Sequence, residues 1–338
     1  MDFLDKDNVL TLLGERIFPG ESKTVNFNLA KLYTTASVEV PIIVERSQEP
    51  GPILLITSGI HGDEINGVEI VRQLISKKIN KPKKGTIICI PVLNIFGFLD
   101  MKRAFPDGRD LNRVFPGNPR GSLASRFAYQ FVKKILPVAD LCLDFHTGGA
   151  SRFNAAQVRI DPLDIVSTEY ARIFNAPFTL HSKTIAKSYR ATCSRAKKPV
   201  LLFEGGKSKV SNKSIAREGV QGTMRVLHHL EMLDDIFVEK IKSKEPSINI
   251  TKTKWRRAKF SGLLHTKVTC GEHLKEGQHI ATITDPYGKF KHLVRARNNG
   301  YVINVNEASL VYQGDAIFNI SIDTVSYTHL TLPTTPYV

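Results

Sequence analysis

Two short clusters of metal-ligating side chains follow apolar stretches of the sequence. In the first, S-G-I-H-G-D-E-I-N-G, His61 and Glu64 stand three residues apart. In the second, D-F-H-T-G-G, His146 directly follows an apolar run. Two histidines and one glutamate form a known catalytic zinc set, which leaves a coordination position for water or substrate. Together the clusters indicate a zinc site, although either alone is also typical of a surface turn or a core histidine.

Two further clusters carry charged groups that suit hydrolytic chemistry. Glu204 ends the apolar run L-L-F-E, where an unpaired carboxylate is costly to bury, and is therefore a candidate general base. The R-D-L-N-R cluster at residues 109–113 places two arginines and an amide in a loop rich in proline and glycine. Guanidinium groups bind carboxylates through paired, charge-assisted hydrogen bonds. These residues predict a site for an anionic substrate, unless the loop is simply polar and exposed.

Apolar strands that alternate with amphipathic helices are expected to position these clusters. Residues 53–58 (ILLITS) and 141–145 (LCLDF) are continuous apolar runs, typical of strands buried on both faces of a sheet. Apolar residues at helical spacing predict helices over 66–79, 122–136 and 214–232. The sequence therefore predicts an α/β fold with a mixed, largely parallel sheet flanked by helices. Ligand sites in such sheets gather at the carboxyl ends of the strands.

The character of the chain changes after about residue 240, which predicts a second domain. Residues 1–240 carry the α/β pattern, whereas residues 241–254 are polar and rich in lysine, like a linker. Residues 255–322 contain short strands punctuated by glycine, which predicts a small all-β, barrel-sandwich-like module. Residues 325–338 (VSYTHLTLPTTPYV) resemble a translated sequencing adapter. We interpret them as a disordered or foreign tail.

Composition and charge limit the classes of function. No apolar run is long enough to cross a bilayer, and the N-terminus lacks the pattern of a secretory signal, so we expect a cytoplasmic protein without a membrane partner. The 4 cysteines are widely spaced, which argues against disulfides and cysteine-ligated zinc. The net charge of +15 suits an acidic partner. The densest basic stretch, residues 240–259, lacks interleaved aromatic residues, so we expect no nucleic-acid partner.

In this order, the four clusters resemble those of the succinylglutamate desuccinylase/aspartoacylase family, in the zinc carboxypeptidase-like superfamily. The resemblance covers roughly residues 50–230 and depends on H-G-D-E, D-L-N-R, D-x-H-T-G and a strand-end glutamate occurring together. It implies one zinc ion per chain, held by His61, Glu64 and His146. It also implies that Glu204 activates water and then protonates the leaving amine, and that the C-terminal β-module is like the one found in the family.

The same resemblance implies roles for the loop between the metal clusters. Arg103 matches the arginine that polarises the scissile carbonyl. Arg109 is the alternative for this role if the loop between Arg103 and Asn112 contains an insertion relative to other members of the family. Asn112 and Arg113 match the residues that bind the α-carboxylate of the substrate. Asp110 matches an acid that orients a zinc-ligating histidine, which fixes the tautomer of the ring.

The predicted activity is zinc-dependent hydrolysis of the amide bond of a small, anionic N-acyl amino acid. By a looser match, Arg190 in S-Y-R-A-T meets a second anionic group of this substrate. A zinc metallocarboxypeptidase acting on peptides is the first alternative, which the β-module disfavours because it is thought to narrow access to the site. A binding module for anionic ligands or nucleic acid is the second, and it leaves the four clusters unexplained. The acyl group, the amino acid and the oligomeric state, including a homo-oligomer, stay open.

Overall fold

The computed structural model describes residues 8–31 and 37–322, so the predicted tail at residues 325–338 lies outside the described residues. The strands are β1 (Leu10–Leu12), β2 (Glu15–Ile17), β3 (Ser22–Lys31), β4 (Ser37–Arg46), β5 (Glu49–Ser58), β6 (Lys84–Ile90), β7 (Leu141–Gly148), β8 (Arg152–Ile160), β9 (Phe178–His181), β10 (Val200–Lys207), β11 (Ile248–Ile250), β12 (Thr253–Arg257), β13 (Gly262–Thr266), β14 (His273–Leu274), β15 (His279–Thr284), β16 (Lys291–Arg295), β17 (Gly300–Asn306), β18 (Leu310–Val311) and β19 (Ala316–Ser321). The helices are α1 (Ile65–Ser76), α2 (Ile95–Leu99), α3 (Leu123–Lys134), α4 (Ile165–Phe174), α5 (Tyr189–Arg195) and α6 (Lys213–His229), with short 3-10 helices at Leu111–Arg113, Leu136–Val138 and Asp235–Lys240.

A large mixed sheet forms the centre of the molecule and confirms the predicted α/β fold. Among the described residues it has 13 strands, in the main order β12-β19-β17-β8-β10-β7-β5-β6-β4-β3. The central strands β6, β5, β7 and β10 are parallel, whereas β3, β4 and β8 join antiparallel. The parallel centre therefore sends the carboxyl ends of β5, β7 and β10 to one edge, where the sequence has its chemical clusters.

Apolar layers cover both faces of this sheet, which explains the continuous apolar strands. Alternate side chains of a strand point to opposite faces, so β5 sends Leu54 and Ile56 into one layer and Leu55 into the other. Helix α3 covers one face with Phe127 and Phe131, while α1 and α6 cover the other. None of the described helices is long and apolar enough to span a membrane.

Several of the C-terminal strands join the large sheet. Strand β11 lies inside the predicted linker, residues 241–254, and pairs in parallel with β9. Strands β17, β19 and β12 extend the main sheet, because β17 pairs with β8. A further sheet holds β13, β15, β16 and β18. Three residues of the predicted linker thus form an edge strand, which a run of three residues is too short to show by periodicity without its partner.

Candidate active site

The predicted metal ligands converge at the carboxyl ends of neighbouring parallel strands. His61 and Glu64 lie in the turn between β5 and α1, and His146 lies near the end of β7. The Nδ1 atoms of His61 and His146 lie 2.6 Å and 2.8 Å from the two carboxylate oxygens of Glu64. All three side chains are buried, and their ligand atoms lie within 4.8 Å of one another. This group could hold a metal ion.

Two glycines let the backbone come close enough to build this cluster. A Cβ at Gly62 would lie 1.8 Å from the carbonyl carbon of Gly97, which leaves no room for a side chain in the turn. A Cβ at Gly67, in the first turn of α1, would lie 2.5 Å from the carbonyl oxygen of Phe145 on β7. Because α1 packs directly on the β7 backbone, Glu64 reaches His146.

Two aspartates hold the outer nitrogens of the histidines. Asp110 Oδ1 lies 3.0 Å from Nε2 of His61, and Asp144 Oδ2 lies 2.7 Å from Nε2 of His146. The sequence predicted Asp110 near a ligating histidine, but Asp144 was missed. Its signal was the D-x-H spacing, since residues two apart on a strand share a face. With both Nε2 atoms hydrogen-bonded, both Nδ1 atoms face the centre, which is the arrangement that metal-ligating histidines usually have.

Burial and paired charges shift the pKa values of this cluster. Burial alone would lower the pKa of His146, but the charges of Asp144 and Glu64 outweigh it and raise that pKa well above its ordinary value. Burial is likewise outweighed at His61, whose pKa is raised by Glu64 and Asp110. At Glu64 burial favours the neutral acid, yet the two histidines hold its pKa well below its ordinary value. The donor set fits a divalent metal, which would replace protons at these nitrogens.

A cavity of about 610 Å³ opens beside the cluster and collects most of the predicted site residues. The predicted residues that line it are His61, Glu64, Arg103, Asp110, Asn112, Arg113, His146, Arg190 and Glu204. Arg109 is not among the lining residues. Its side chain is 56% exposed, and Nη1 lies 3.8 Å from Asp107. The structure thus separates Arg103 from its rival Arg109, which local spacing could not do.

Arg103 contacts two acids, Glu64 of the metal-binding group and the neighbouring Asp110. Its Nη1 donates to Glu64 Oε1 at 3.2 Å, and its Nε and Nη2 donate to Asp110 Oδ2 at 3.1 Å and 2.9 Å. Asp110 therefore contacts both His61 and Arg103. Burial opposes ionisation of Asp110, but the hydrogen bond and charge of His61 and the charge of Arg103 lower its pKa strongly. These hydrogen bonds hold the guanidinium next to the predicted ligands, where it can meet negative charge on a bound group.

Asn112, Arg113 and Arg190 supply further donors to the cavity wall. Asn112 is buried and accepts the backbone N–H of Tyr189 at 2.8 Å, which ties this loop to α5. Arg190 is also buried, and its Nη2 donates to the carbonyl oxygens of Ser182 and Lys183. Its Nη1 has no partner among residues 8–31 and 37–322. Burial, and then the charge of Arg159, lower the pKa of Arg190.

Glu204 lies in the second half of β10, which continues to Lys207, and it stands beside His146 in register. Two side chains of β8 hold its carboxylate. Asn154 Nδ2 donates to Oε2 of Glu204 at 2.7 Å, and Arg159 Nη2 lies 3.0 Å from the same oxygen. The sequence reasoning missed Asn154 and Arg159. No local signal marks them, because their importance depends on the antiparallel register between β8 and β10.

Comparison with known proteins identifies the family. Residues 50–230, more than half of the chain, match the family model described as the succinylglutamate desuccinylase/aspartoacylase catalytic domain. The chain belongs to this family. The resemblance predicted from the four clusters is therefore confirmed, and with it the membership of a family of deacylases.

One curated relative and two solved structures illustrate the family. The N-alpha-acetyl-L-2,4-diaminobutyric acid deacetylase of Halomonas elongata is 28% identical over 263 residues, covering 74% of this chain and 75% of that protein. The product-bound ectoine utilization protein EutE (DoeB) from Ruegeria pomeroyi superposes with a TM-score of 0.79 at 23% identity, over 94% of this chain and 100% of that one. A succinylglutamate desuccinylase/aspartoacylase from Rhodobacter sphaeroides superposes with a TM-score of 0.77 at 24% identity, over 90% of this chain and 96% of that one. The two structures share the fold.

Proposed function

We propose that this protein is a zinc-dependent hydrolase that removes the acyl group from a small, anionic N-acyl amino acid. The observation that carries the proposal is the meeting, in one cavity, of a metal-binding group, the Glu204 carboxylate and several arginines. The similarity to a deacetylase of an N-acetylated amino acid supports this substrate class.

Zinc is the metal that the donor set favours. Two imidazole nitrogens and a carboxylate are the ligands of known catalytic zinc sites, and we assign them to His61, His146 and Glu64. Asp110 and Asp144 would fix the tautomers of the two rings. When bound, zinc supplies Lewis-acid polarisation of the acyl carbonyl and of water.

The remaining chemistry falls to Glu204 and Arg103. Both described contacts of the Glu204 carboxylate use Oε2. We therefore assign to Oε1 the proton taken from water and then given to the leaving amine. Arg103 is the group that stabilises the developing oxyanion, because its guanidinium lies beside the metal ligands whereas that of Arg109 lies outside the cavity.

The anionic ends of the substrate would be bound by other residues that line the same cavity. Asn112 and Arg113 are assigned to the α-carboxylate, because a guanidinium next to an amide suits that group. Arg190 is assigned to a second anionic group, since it is buried and one of its nitrogens lacks a partner among the described residues. A buried donor without a partner is costly until a ligand satisfies it.

The C-terminal strands favour small substrates over peptides. Trp255, Ile303, Asn304 and Asn319, all from these strands, line the same cavity as the metal-binding group. They close one side of the space that a peptide chain would have to enter. We therefore place the carboxypeptidase alternative second.

The proposal is tested by metal analysis combined with a substrate screen. The purified protein is expected to hold about one zinc ion per chain, consistent with a three-residue site. Incubation with a panel of N-acyl amino acids should release free amino acids, detected by mass spectrometry, and a chelator should stop the reaction until zinc is returned. Peptides serve as the comparison panel. Zinc-loaded protein that cleaves peptides and no N-acyl amino acid would exclude the deacylase.

A further inference from the structure

A row of amide side chains crosses from the catalytic strands into the C-terminal strands. Strand pairing sets Asn154 of β8 opposite Asn304 of β17, and Asn304 opposite Asn319 of β19. Residues directly opposite each other in a sheet present their side chains on the same face. All three amides line the cavity that contains Glu204. The C-terminal part of the chain therefore reaches the catalytic carboxylate through one face of a continuous sheet.

Two short hydrogen bonds link the first members of this row to Glu204. Asn304 Nδ2 donates to Asn154 Oδ1 at 2.6 Å, and Asn154 Nδ2 donates to Glu204 Oε2 at 2.7 Å. Asn154 and Asn304 are each only 4% exposed. Because water has little access to them, these hydrogen bonds are not exchanged for solvent at low cost.

The carboxylate of Glu204 determines which group donates in each of the two hydrogen bonds. An ionised carboxylate only accepts hydrogen bonds, so Asn154 must turn its NH₂ group toward Glu204. The carbonyl oxygen of Asn154 then faces Asn304, which must donate to it through its own NH₂ group. Asn304 thereby fixes the rotation of the Asn154 amide, and an apolar side chain at position 304 would leave that rotation free.

We propose that Asn304 is a positioning residue for Glu204, which acts through Asn154 and so makes the C-terminal strand β17 part of the active site. The proposal rests on the proposed function, in which Glu204 is the general base. It also changes the interpretation of the C-terminal strands, which here orient the base and do not only restrict access.

Glu204 needs a well-oriented Asn154 because a second partner, Arg159, also binds its carboxylate. Arg159 lies 3.0 Å from the same Oε2, and its Nε has no partner among the described residues. Without a well-oriented Asn154, the carboxylate is free to turn toward the remaining N–H of Arg159. That turn would draw Oε1 away from the proton it must take, and misplacement of a catalytic group by about 1 Å can cost roughly a hundredfold in rate.

The first test is a kinetic comparison of Asn304→Ala with the wild-type enzyme on the best N-acyl amino acid. Removal of the Asn304 donor should lower kcat by about ten- to a hundredfold, because the base is misdirected. KM should stay within about threefold, since the groups assigned to substrate binding are untouched. Asn306→Ala is the matched control, because this buried amide on the same strand donates to Ala316 and not toward Glu204.

A double-mutant cycle separates action through Asn154 from a general loosening. Asn154→Ala should lower kcat at least as much as Asn304→Ala, and the double variant should be no worse than Asn154→Ala alone. Independent, multiplying losses would overturn the proposal, and so would an Asn306→Ala loss as large as that of Asn304→Ala.

A crystal structure of a second variant tests the proposal without an activity measurement and without relying on the folding of Asn304→Ala. Asn304→Leu has nearly the shape of asparagine but no donor, and its crystal structure should show the Glu204 carboxylate rotated relative to the wild type. An unmoved carboxylate would overturn the proposal. If the wild-type enzyme hydrolyses no N-acyl amino acid, the proposed function fails, while this crystallographic comparison still decides whether Asn304 orients Glu204.

Discussion

His61 and His146 differ from ordinary core histidines in what both of their ring nitrogens contact. Each Nδ1 atom faces Glu64, and each Nε2 atom is held by an aspartate, Asp110 in one case and Asp144 in the other. A neutral imidazole has a single N–H and can donate to only one carboxylate, so carboxylates at both nitrogens require a second proton or a metal ion. The doubled set explains why the cluster suits a metal ion.

Asp144 should therefore control metal affinity without contacting the metal. The Asp144→Asn substitution keeps the shape but removes the charge beside Nε2 of His146, so zinc affinity should fall by about 10- to 100-fold. Competition with a chromogenic chelator measures it. Asp140→Asn is the control, since Asp140 is exposed and accepts only the backbone N–H of Ile53 in its described contact. Equal affinities in all three proteins would contradict the assignment.

Glu204 should be needed for turnover and not for metal binding. Glu204→Gln keeps the shape of the side chain but cannot accept the proton, so kcat should fall by about 10²- to 10⁴-fold. The zinc content, measured by metal analysis, should stay at the wild-type level. Glu218→Gln provides the control, because Glu218 pairs with Lys244 away from the cavity. Near-normal turnover of Glu204→Gln would remove this residue from the mechanism.

At the scale of elements, the position of α1 on β7 decides whether the three predicted metal ligands meet. Gly67 approaches the backbone of Phe145, which cannot move aside without breaking the sheet. Gly219 on α6 also has close neighbours, but they are side-chain atoms of Ile70, of which the terminal Cδ1 is the nearest at 2.4 Å. The two glycines therefore provide a matched pair of helical positions.

Gly67→Ala should destabilise the protein far more than Gly219→Ala. Both changes gain about 1 kcal/mol of helix propensity, so the difference between them isolates the clash. Overpacking against the backbone at Gly67 should cost about 1–3 kcal/mol in the free energy of unfolding, measured by denaturant titration. Zinc affinity should fall with it, because Glu64 precedes the displaced helix. Indistinguishable stabilities would show that α1 does not pack closely on β7.

At the scale of the whole molecule, the C-terminal strands complete a sheet that begins in the catalytic domain. Strand β17 covers the edge of β8, and Ile303 packs with Ala155 and Phe178 in a small apolar cluster. An uncovered sheet edge is a site of aggregation. The C-terminal strands that line the cavity thus also cover the sheet edge at β8.

Ending the chain after Ser247 should consequently give misfolded or aggregated protein and not a peptidase with a wider entrance. Size-exclusion chromatography and circular dichroism measure this outcome. The matched control ends the chain after Ile322, which removes the predicted foreign tail and keeps every described strand. A monodisperse, folded product of the shorter chain would contradict the prediction and make the C-terminal strands an independent module.

Metal binding should stabilise the whole fold, since the ligands join the β5–α1 turn to β7. A ligand that binds only the folded state adds about 4 kcal/mol at a thousandfold excess over its dissociation constant. The thermal unfolding midpoint should therefore be higher with zinc than with chelator. The same comparison in His146→Ala should show little difference. A midpoint that ignores zinc in the wild-type protein would count against the metal site.

Local patterns in the sequence were sufficient for the family, the α/β fold and the three residues of the group that could hold a metal ion. Apolar periodicity locates strands and helices because it reflects burial, and ligand residues at strand ends come together wherever the strands are parallel. The helices α1, α3 and α6 accordingly begin and end within a few residues of their predictions. His61, Glu64 and His146 are recognisable from the sequence because each is marked by its immediate neighbours.

Only the tertiary structure decided which charged groups reach the site. It places Arg103 and not Arg109 at the group that could hold a metal ion, and it brings Asn154 and Arg159 to Glu204 and Asn304 to Asn154. These contacts depend on the register between strands that are distant in sequence, and a shift of one residue would turn every side chain to the other face. No single segment carries that information, because register is fixed by pairing and packing over the whole sheet.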